Sequence, residues 1–146
     1  GMYHYRECGL RNVWLANGYD EHKTPYGPGV AIHDADGLHR AIARGLVNKG
    51  GKLTGSELRF LRLEMGLSQS RLAAMLGNEA QTVALWEKRS SQPKIADRFI
   101  RAIWREQDEG NAQIRAMIER LTDSDVADSA ARIVAEQDEG RWKVAA

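Results

Sequence analysis

The sequence predicts a mostly α-helical protein with a small β-rich lead at its N-terminus. The chain has 146 residues, and apolar residues recur with helical spacing through most of it after position 37. Residues that begin or end helices separate these runs. Strand-forming residues concentrate before position 34, where Asn17-Gly18 marks a turn. We therefore divide the chain into a lead at 2–51, a central domain at 52–106 and a tail at 107–146.

The composition excludes several classes of protein. Hydrophobic residues make up 42% and charged residues 28% of the chain, which is typical of soluble domains. No apolar run approaches the roughly 18 residues of a membrane helix, and no segment has the pattern of a secretory signal. Cys8 is the single cysteine, so no intramolecular disulfide can form. We expect a cytoplasmic protein.

Charge is distributed unevenly, although the formal net charge is only +1. Residues 52–105 contain ten basic and five acidic side chains, whereas residues 106–146 contain five basic and ten acidic ones. A basic central region suits a polyanionic partner, and the acidic tail is expected to face away from it. Solvated helix faces alone would also produce such an imbalance.

The lead is predicted to contain short strands and one helix. The Pro- and Gly-rich segment 24–29 predicts a loop, and residues 30–33 predict a strand. Asp34 or Asp36 can cap the helix that follows. Its expected apolar face consists of Leu38, Ala41, Ile42, Gly45 and Leu46. The lead is too small to form a core alone, so we expect it to pack on the following helices.

Four helices are predicted in the central domain. The residues expected to begin or end them are Thr54, Glu57, Ser68, Gly77 and Pro93, which include a capping box and a glycine stop. The second and third helices, at 68–76 and about 79–88, are joined by a tight turn. Two short helices joined in this way form a helix-turn-helix unit, whose second helix can enter the major groove of DNA.

The tail is predicted to contain two helices and a final strand. The first helix carries Ile114, Met117, Ile118 and Leu121, and the second carries Ala130, Ile133 and Val134. The pentapeptide Glu-Gln-Asp-Glu-Gly occurs at 106–110 and again at 136–140, and both copies are expected to end helices. Residues 141–144 predict the strand.

A set of residues with characteristic spacing spans the two middle helices. It consists of Gly66-Leu67-Ser68-Gln69, Leu72-Ala73, Leu76-Gly77, Val83, Glu87 and Pro93. From about residue 58 to 104 the chain resembles the Cro/C1-type (XRE), lambda-repressor-like helix-turn-helix family. The resemblance implies a five-helix core and a sequence-specific transcriptional regulator, a repressor, that reads the major groove with the helix near 79–88. Because one such helix reads only about 4–6 base pairs, a homodimer is expected.

Two positions depart from the family pattern. Trp86 stands where a smaller aliphatic residue is usual, and Arg89 stands where glycine is frequent. Trp86-Glu87 and residues 54–59 resemble the zinc-ribbon antitoxins of the MqsA and HigA kind. The alternative function is an antitoxin that binds a toxin protein and autoregulates its operon, because the additional lead and the acidic tail could cover a basic toxin. Those proteins carry two C-x-x-C pairs, which this chain lacks, so the resemblance is to a form without the zinc ribbon.

The resemblance and the helix geometry together give the candidate DNA contacts. They are Gln69, Arg71, Glu79, Ala80, Gln81, Thr82, Leu85, Lys88, Arg89 and Lys94. Gln81 is the best base reader because its amide can bond adenine N6 and N7 together. Thr82 can reach a phosphate or a thymine methyl, and Leu85 can contact only the methyl. Glu79 can accept from cytosine N4, but it also suits the positive helix N-terminus, which we favour.

The cations and the core residues have separate expected roles. The candidates for phosphate contacts are Lys88, Arg89, Lys94 and Arg71, with solvated surface charge as the alternative. Glu87 is expected to be structural, paired near Arg71 or another cation of the second helix, and Trp86 is expected in the core. The candidate dimer residues are Ile114, Met117, Ile118, Trp142 and Val144.

Patterns for enzymatic or metal chemistry were not found. The chain has no glycine-rich phosphate loop, nucleophile elbow or H-E-x-x-H motif. His4, Cys8, His22 and His33 could supply four metal ligands, but they lack the paired spacing of structural sites. We therefore predict no enzyme activity, no cofactor and no metal.

Overall fold

A computed structural model describes residues 1–89, 92–124 and 132–144. The strands are β1 Tyr3–His4, β2 Trp14–Leu15, β3 Tyr19–Thr24, β4 Gly27–Ile32, β5 Ala135–Asp138 and β6 Arg141–Val144. The helices are α1 Ala35–Asn48, α2 Gly55–Glu64, α3 Gln69–Leu76, α4 Ala80–Lys88, α5 Lys94–Asp108 and α6 Gln113–Asp123. The strands pair consecutively into three antiparallel hairpins. The protein is thus mainly helical with a β-rich lead, as predicted. No helix in these ranges has the length and apolarity of a membrane span.

One apolar core connects the lead to the central helices. Leu10 of the lead is buried in the same cluster as residues of α1 to α5, so the lead packs on the central domain as expected. The predicted face of α1 was wrong in part, because Ala41 and Gly45 are exposed and the buried residues are Ala43, Leu46 and Val47. Alanine and glycine carry little apolar area, so they do not fix which face of a helix turns inward.

The central helices begin and end where their capping residues predict. The Thr54 hydroxyl accepts a hydrogen bond from the Glu57 amide at 3.2 Å, and the Glu57 carboxylate accepts one from the Thr54 amide at 2.8 Å. Ser68 caps α3, and Gly77 ends it with a left-handed φ of 74°. Four helices, not five, begin in the described part of 52–106, and α6 packs against α3 and α5 from beyond that range.

The first long hairpin is tighter than its sequence suggests. Strands β3 and β4 pair as far as Thr24 and Gly27, so only Pro25 and Tyr26 lie in the turn and the predicted loop at 24–29 was wrong. The Thr24 hydroxyl accepts from the Tyr26 amide at 3.2 Å, and Gly27 has a φ of 116° that suits glycine alone. Pro28 is tolerated because β4 belongs to a sheet of two strands and needs few ladder bonds.

In its described residues the tail contains one helix and one hairpin, and the prediction of a second tail helix was wrong over 132–134. Ile133 and Val134 are exposed and not helical, and Ala130 lies outside the described residues. The first copy of the pentapeptide ends α5, whereas the second copy forms β5 and the turn into β6. The two copies differ because the second is followed by the strand-forming residues 141–144, with which it pairs. That final strand agrees with the prediction.

Asp34, rather than Asp36, caps α1. Its carboxylate accepts a hydrogen bond from the Gly37 amide at 3.1 Å. Asp34 adopts a left-handed φ of 47°, which aspartate tolerates better than most residues. The chain that follows α1 is held by Arg101 of α5, whose guanidinium donates to the carbonyl oxygens of Lys49 and Gly51.

Gly55 should be irreplaceable at the contact between α2 and the end of α4. Its amide donates to the Arg89 carbonyl at 2.9 Å, and a Cβ there would collide with the backbone carbonyls of Glu87 and Arg89. We expect Gly55→Ala to lower the free energy of unfolding by about 1–3 kcal/mol. Gly45→Ala, in open space within α1, should instead raise it by up to about 1 kcal/mol. Urea unfolding followed by circular dichroism measures both, and a Gly55→Ala protein as stable as wild type would contradict the close contact.

Candidate nucleic-acid interface

Helices α3 and α4 pack against each other across a three-residue turn at 77–79. Ala73 is 1% exposed and Val83 is fully buried, so the small side chain lets the two helices approach closely. Trp86 is 8% exposed and belongs to the core, as predicted. The inner face of α4 is therefore fixed by packing, and its opposite face is turned to solvent.

A buried ion pair holds α4 to α2. Arg62 Nε lies 2.6 Å from Glu87 Oε2, and Nη2 lies 3.0 Å from Oε1. The two side chains are only 7% and 4% exposed. A third guanidinium nitrogen, Nη1, donates to the Leu67 carbonyl at 2.8 Å. One arginine thereby joins α2, the residue before the α3 cap and the last turn of α4.

The predicted partner of Glu87 was wrong, although its structural role agrees with the geometry. Glu87 pairs with Arg62 of α2 and not with Arg71 of α3. Spacing along α3 and α4 could not reveal a partner on another helix, because that contact depends on how α2 crosses the pair. Gln69 also reaches Glu87, and its Nε2 donates to Oε1 at 3.1 Å. This bond orients the Gln69 amide at the first turn of α3.

Arg71 is held by the acidic tail. Its Nη1 lies 3.0 Å from Asp123 Oδ1, and its Nε lies 3.7 Å from Glu119 Oε1, both on α6. The hydrogen bond with Asp123 holds the pKa of Arg71 above its ordinary value. Arg71 therefore fastens α6 to α3, and it can reach a phosphate only by releasing these carboxylates.

The solvent-facing side of α4 carries the candidate base readers. Gln81 is exposed and Leu85 is 49% exposed, and they lie four residues apart on one helix face. Thr82 and Ala80 are half-buried beside them. Glu79 is the N-cap residue of α4, but its side chain makes no capping hydrogen bond. Its expected interaction with the helix N-terminus is thus limited to charge.

Exposed basic side chains lie at the C-terminal end of α4 and at the start of α5. Lys88 and Arg89 end α4, and Lys94 begins α5. All three side chains are exposed, and none forms an ion pair with another residue in the described parts of the chain. They are therefore available to an anion approaching from solvent.

Two residues near the end of α4, Arg62 and Arg11, were not predicted from the sequence. Arg62 is one of the two cations of α2, and only its place in the fold reveals its buried partner. Arg11 of the lead lines the same groove as Lys88 and Arg89. The one available signal was the neighbouring Leu10, an isolated apolar residue in a polar stretch, which anchors that part of the lead.

The histidines and Cys8 of the lead are not gathered into a metal site. Among the described residues, no group of three or more His, Cys, Asp or Glu side chains is placed to hold a metal ion. His4 instead stacks on Trp14 with ring centroids 3.9 Å apart. His33 lies 2.7 Å from Asp20 across the β3–β4 hairpin.

The chain matches no protein-family model, no curated protein and no solved structure. The geometry of the α3–α4 pair and the side chains around it are therefore the features that bear on function.

Removing one partner of the buried ion pair should be costly. Glu87→Ala leaves the Arg62 charge buried without a counter-charge, and we expect it to lower the free energy of unfolding by about 3–5 kcal/mol. The double variant Arg62→Met, Glu87→Leu removes both charges and should recover most of this loss. Equilibrium urea denaturation compares the three proteins. If Glu87→Ala lost less than about 1 kcal/mol, as exposed pairs do, the buried pair would be refuted.

Proposed function

We propose that this protein is a sequence-specific double-stranded DNA-binding regulator of transcription, acting as a repressor, and that α3 and α4 form a helix-turn-helix unit of the Cro/C1 type. The observation that best supports the proposal is the two-sided character of α4. One side is fixed by Val83, Trp86 and the Arg62–Glu87 pair. The other side presents a short polar and apolar face to solvent with cations at its end, which suits a helix that enters the major groove.

In this proposal the face of α4 reads bases by direct contact. The Gln81 amide nitrogen donates to adenine N7, and its carbonyl oxygen accepts from the adenine N6 amino group, so both bonds form at once. Leu85, one turn further on, contacts a thymine methyl, and Thr82 contacts a methyl or a phosphate. Ala80 is small enough to let the first turn of α4 approach the base edges closely.

The backbone contacts surround this reading face. Lys88, Arg89 and Lys94 bind phosphates through charge and set the position of α4 without reading sequence. Gln69 is oriented by Glu87 at the first turn of α3. The rest of its amide contacts a phosphate or an outer base, because the first helix of such a unit crosses the DNA backbone there. Arg71 is assigned to holding α6, because its guanidinium is already engaged there.

A homodimer is part of the proposal, because a single reading helix spans too few base pairs for specificity. The surface proposed for the second copy is the outer side of α6 and the β5–β6 hairpin, where Ile114 is 52%, Met117 45%, Trp142 71% and Val144 62% exposed. Ile118 is removed from the candidate set, because it packs partly buried against the core.

The dimer surface can be tested by placing a charge in it. Met117→Asp should convert a dimer into a monomer in sedimentation velocity, because it buries an unpaired carboxylate at the interface. Ile95→Asp is the control, since Ile95 is 74% exposed in the first turn of α5, a helix that is not part of this proposed surface. A wild-type chain that stays monomeric at high concentration contradicts the dimer, and a stoichiometric complex with a different, basic protein would favour the antitoxin alternative.

The reading face can be tested by removing one amide and one charge. Gln81→Ala should cost about 1–3 kcal/mol of affinity for the preferred duplex and relax the sequence preference. Arg89→Ala should weaken binding to all duplexes nearly equally and lower the salt slope by about one. Fluorescence anisotropy measures both, with a duplex from upstream of the gene and a scrambled duplex at several salt concentrations.

Gln113→Ala is the matched control, since it removes an exposed amide at the start of α6. It should bind both duplexes as wild type does. If Gln81→Ala and Arg89→Ala also behaved as wild type, α4 would not be the docking helix.

A further inference from the structure

The loop between β1 and β2 is held in shape by contacts within the lead and is anchored to the main core by Leu10. Its ends are tied by the hydrogen bond from the Tyr5 amide to the Val13 carbonyl at 2.9 Å. A ring nitrogen of His4 lies 2.6 Å from the Arg11 carbonyl oxygen, and the same ring stacks on Trp14. Leu10, only 2% exposed, inserts into the main core. The residues next to Leu10 therefore have a defined place on the surface.

The residues that follow Leu10 lie beside the C-terminal end of α4. Arg11 and Asn12 are exposed, and they line a groove of about 360 Å³ together with Lys88, Arg89 and the first turn of α2 at 54–56. The groove thus brings a cation of the lead beside the two cations that end the proposed reading helix. A main-chain hydrogen bond of 2.9 Å, from the Gly55 amide to the Arg89 carbonyl, joins two of the residues that line it.

The groove carries uncompensated positive charge. Its one lining carboxylate is Glu87, and both oxygens of Glu87 are engaged by Arg62 and Gln69. No ion pair of Arg11, Lys88 or Arg89 occurs within residues 1–89, 92–124 and 132–144. Three unpaired cations around one concave surface favour binding of an anion.

We propose that Arg11 binds a phosphate of the DNA backbone next to the contacts of Lys88 and Arg89, so that the lead extends the DNA-binding surface. This inference rests on the proposed function. A helix of nine residues such as α4 is about 13 Å long, close to the roughly 12 Å width of the major groove. When the first turn of α4 lies at the base edges, its last turn lies near the sugar-phosphate backbone, and the groove with Arg11 lies there too.

The test compares single cations of the lead. Arg11→Ala should lower the magnitude of the slope of log Kd against log salt by about 0.9 per bound protomer, with equal loss of affinity for the preferred and the scrambled duplex. Lys23→Ala is the matched control, since Lys23 is an exposed cation of β3 in the same lead, and it should keep the wild-type slope. Arg11→Lys retains the charge and should keep that slope as well.

The outcomes separate this inference from the proposed function. If the wild-type protein shows no salt-dependent binding to either duplex, the proposed function fails and the role of Arg11 fails with it. If the wild-type protein binds and Arg11→Ala keeps the full slope, only the role of Arg11 is overturned. A reduced slope for Arg11→Ala that Arg11→Lys does not restore would also overturn it, because the effect would then not be one of charge.

Discussion

The ion pair between Arg62 and Glu87 is the constraint on which the proposed DNA-binding surface depends. It lies between α2 and the last turn of α4, and its guanidinium also holds the Leu67 carbonyl before α3. Burying two charges costs desolvation that their attraction roughly offsets, so such a pair contributes little net stability compared with apolar residues. What it fixes is the arrangement of three helices, since any other arrangement would leave a buried charge unpaired.

The orientation of the outer face of α4 follows from that constraint. Because Val83 and Trp86 pack inward and Glu87 is tied to Arg62, Gln81 and Leu85 must face solvent. The lead adds to the same surface by a separate route, with Leu10 buried in the core and Arg11 beside the end of α4. A base-reading helix needs such rigidity, because bidentate contacts to base edges tolerate little displacement.

Much of the central fold could be predicted from local chemistry, whereas the long-range contacts could not be predicted. The Thr54–Glu57 capping box, the Ser68 cap and the Gly77 stop depend on residues at most three apart, and all three appear where the sequence predicts them. The pentapeptide that ends α5 and later forms β5 shows the limit, since its structure depends on its neighbours. For the candidate site, the exposed face of α4 followed from helix periodicity. The partner of Glu87 and the place of Arg11 depend on tertiary packing, which no spacing rule encodes.

The most direct test of the proposal that α4 reads DNA is an NMR titration of the labelled protein with a short duplex at low salt. Non-specific binding through phosphates is sufficient for this measurement, so the operator need not be known. We expect amide shift changes concentrated in 79–89, around Lys94, in the first turn of α3 and at residues 10–12, with α1 and the outer side of α6 unaffected. Shift changes centred on α1 or α6, or none at all, would contradict the claim that α4 is the DNA-reading helix.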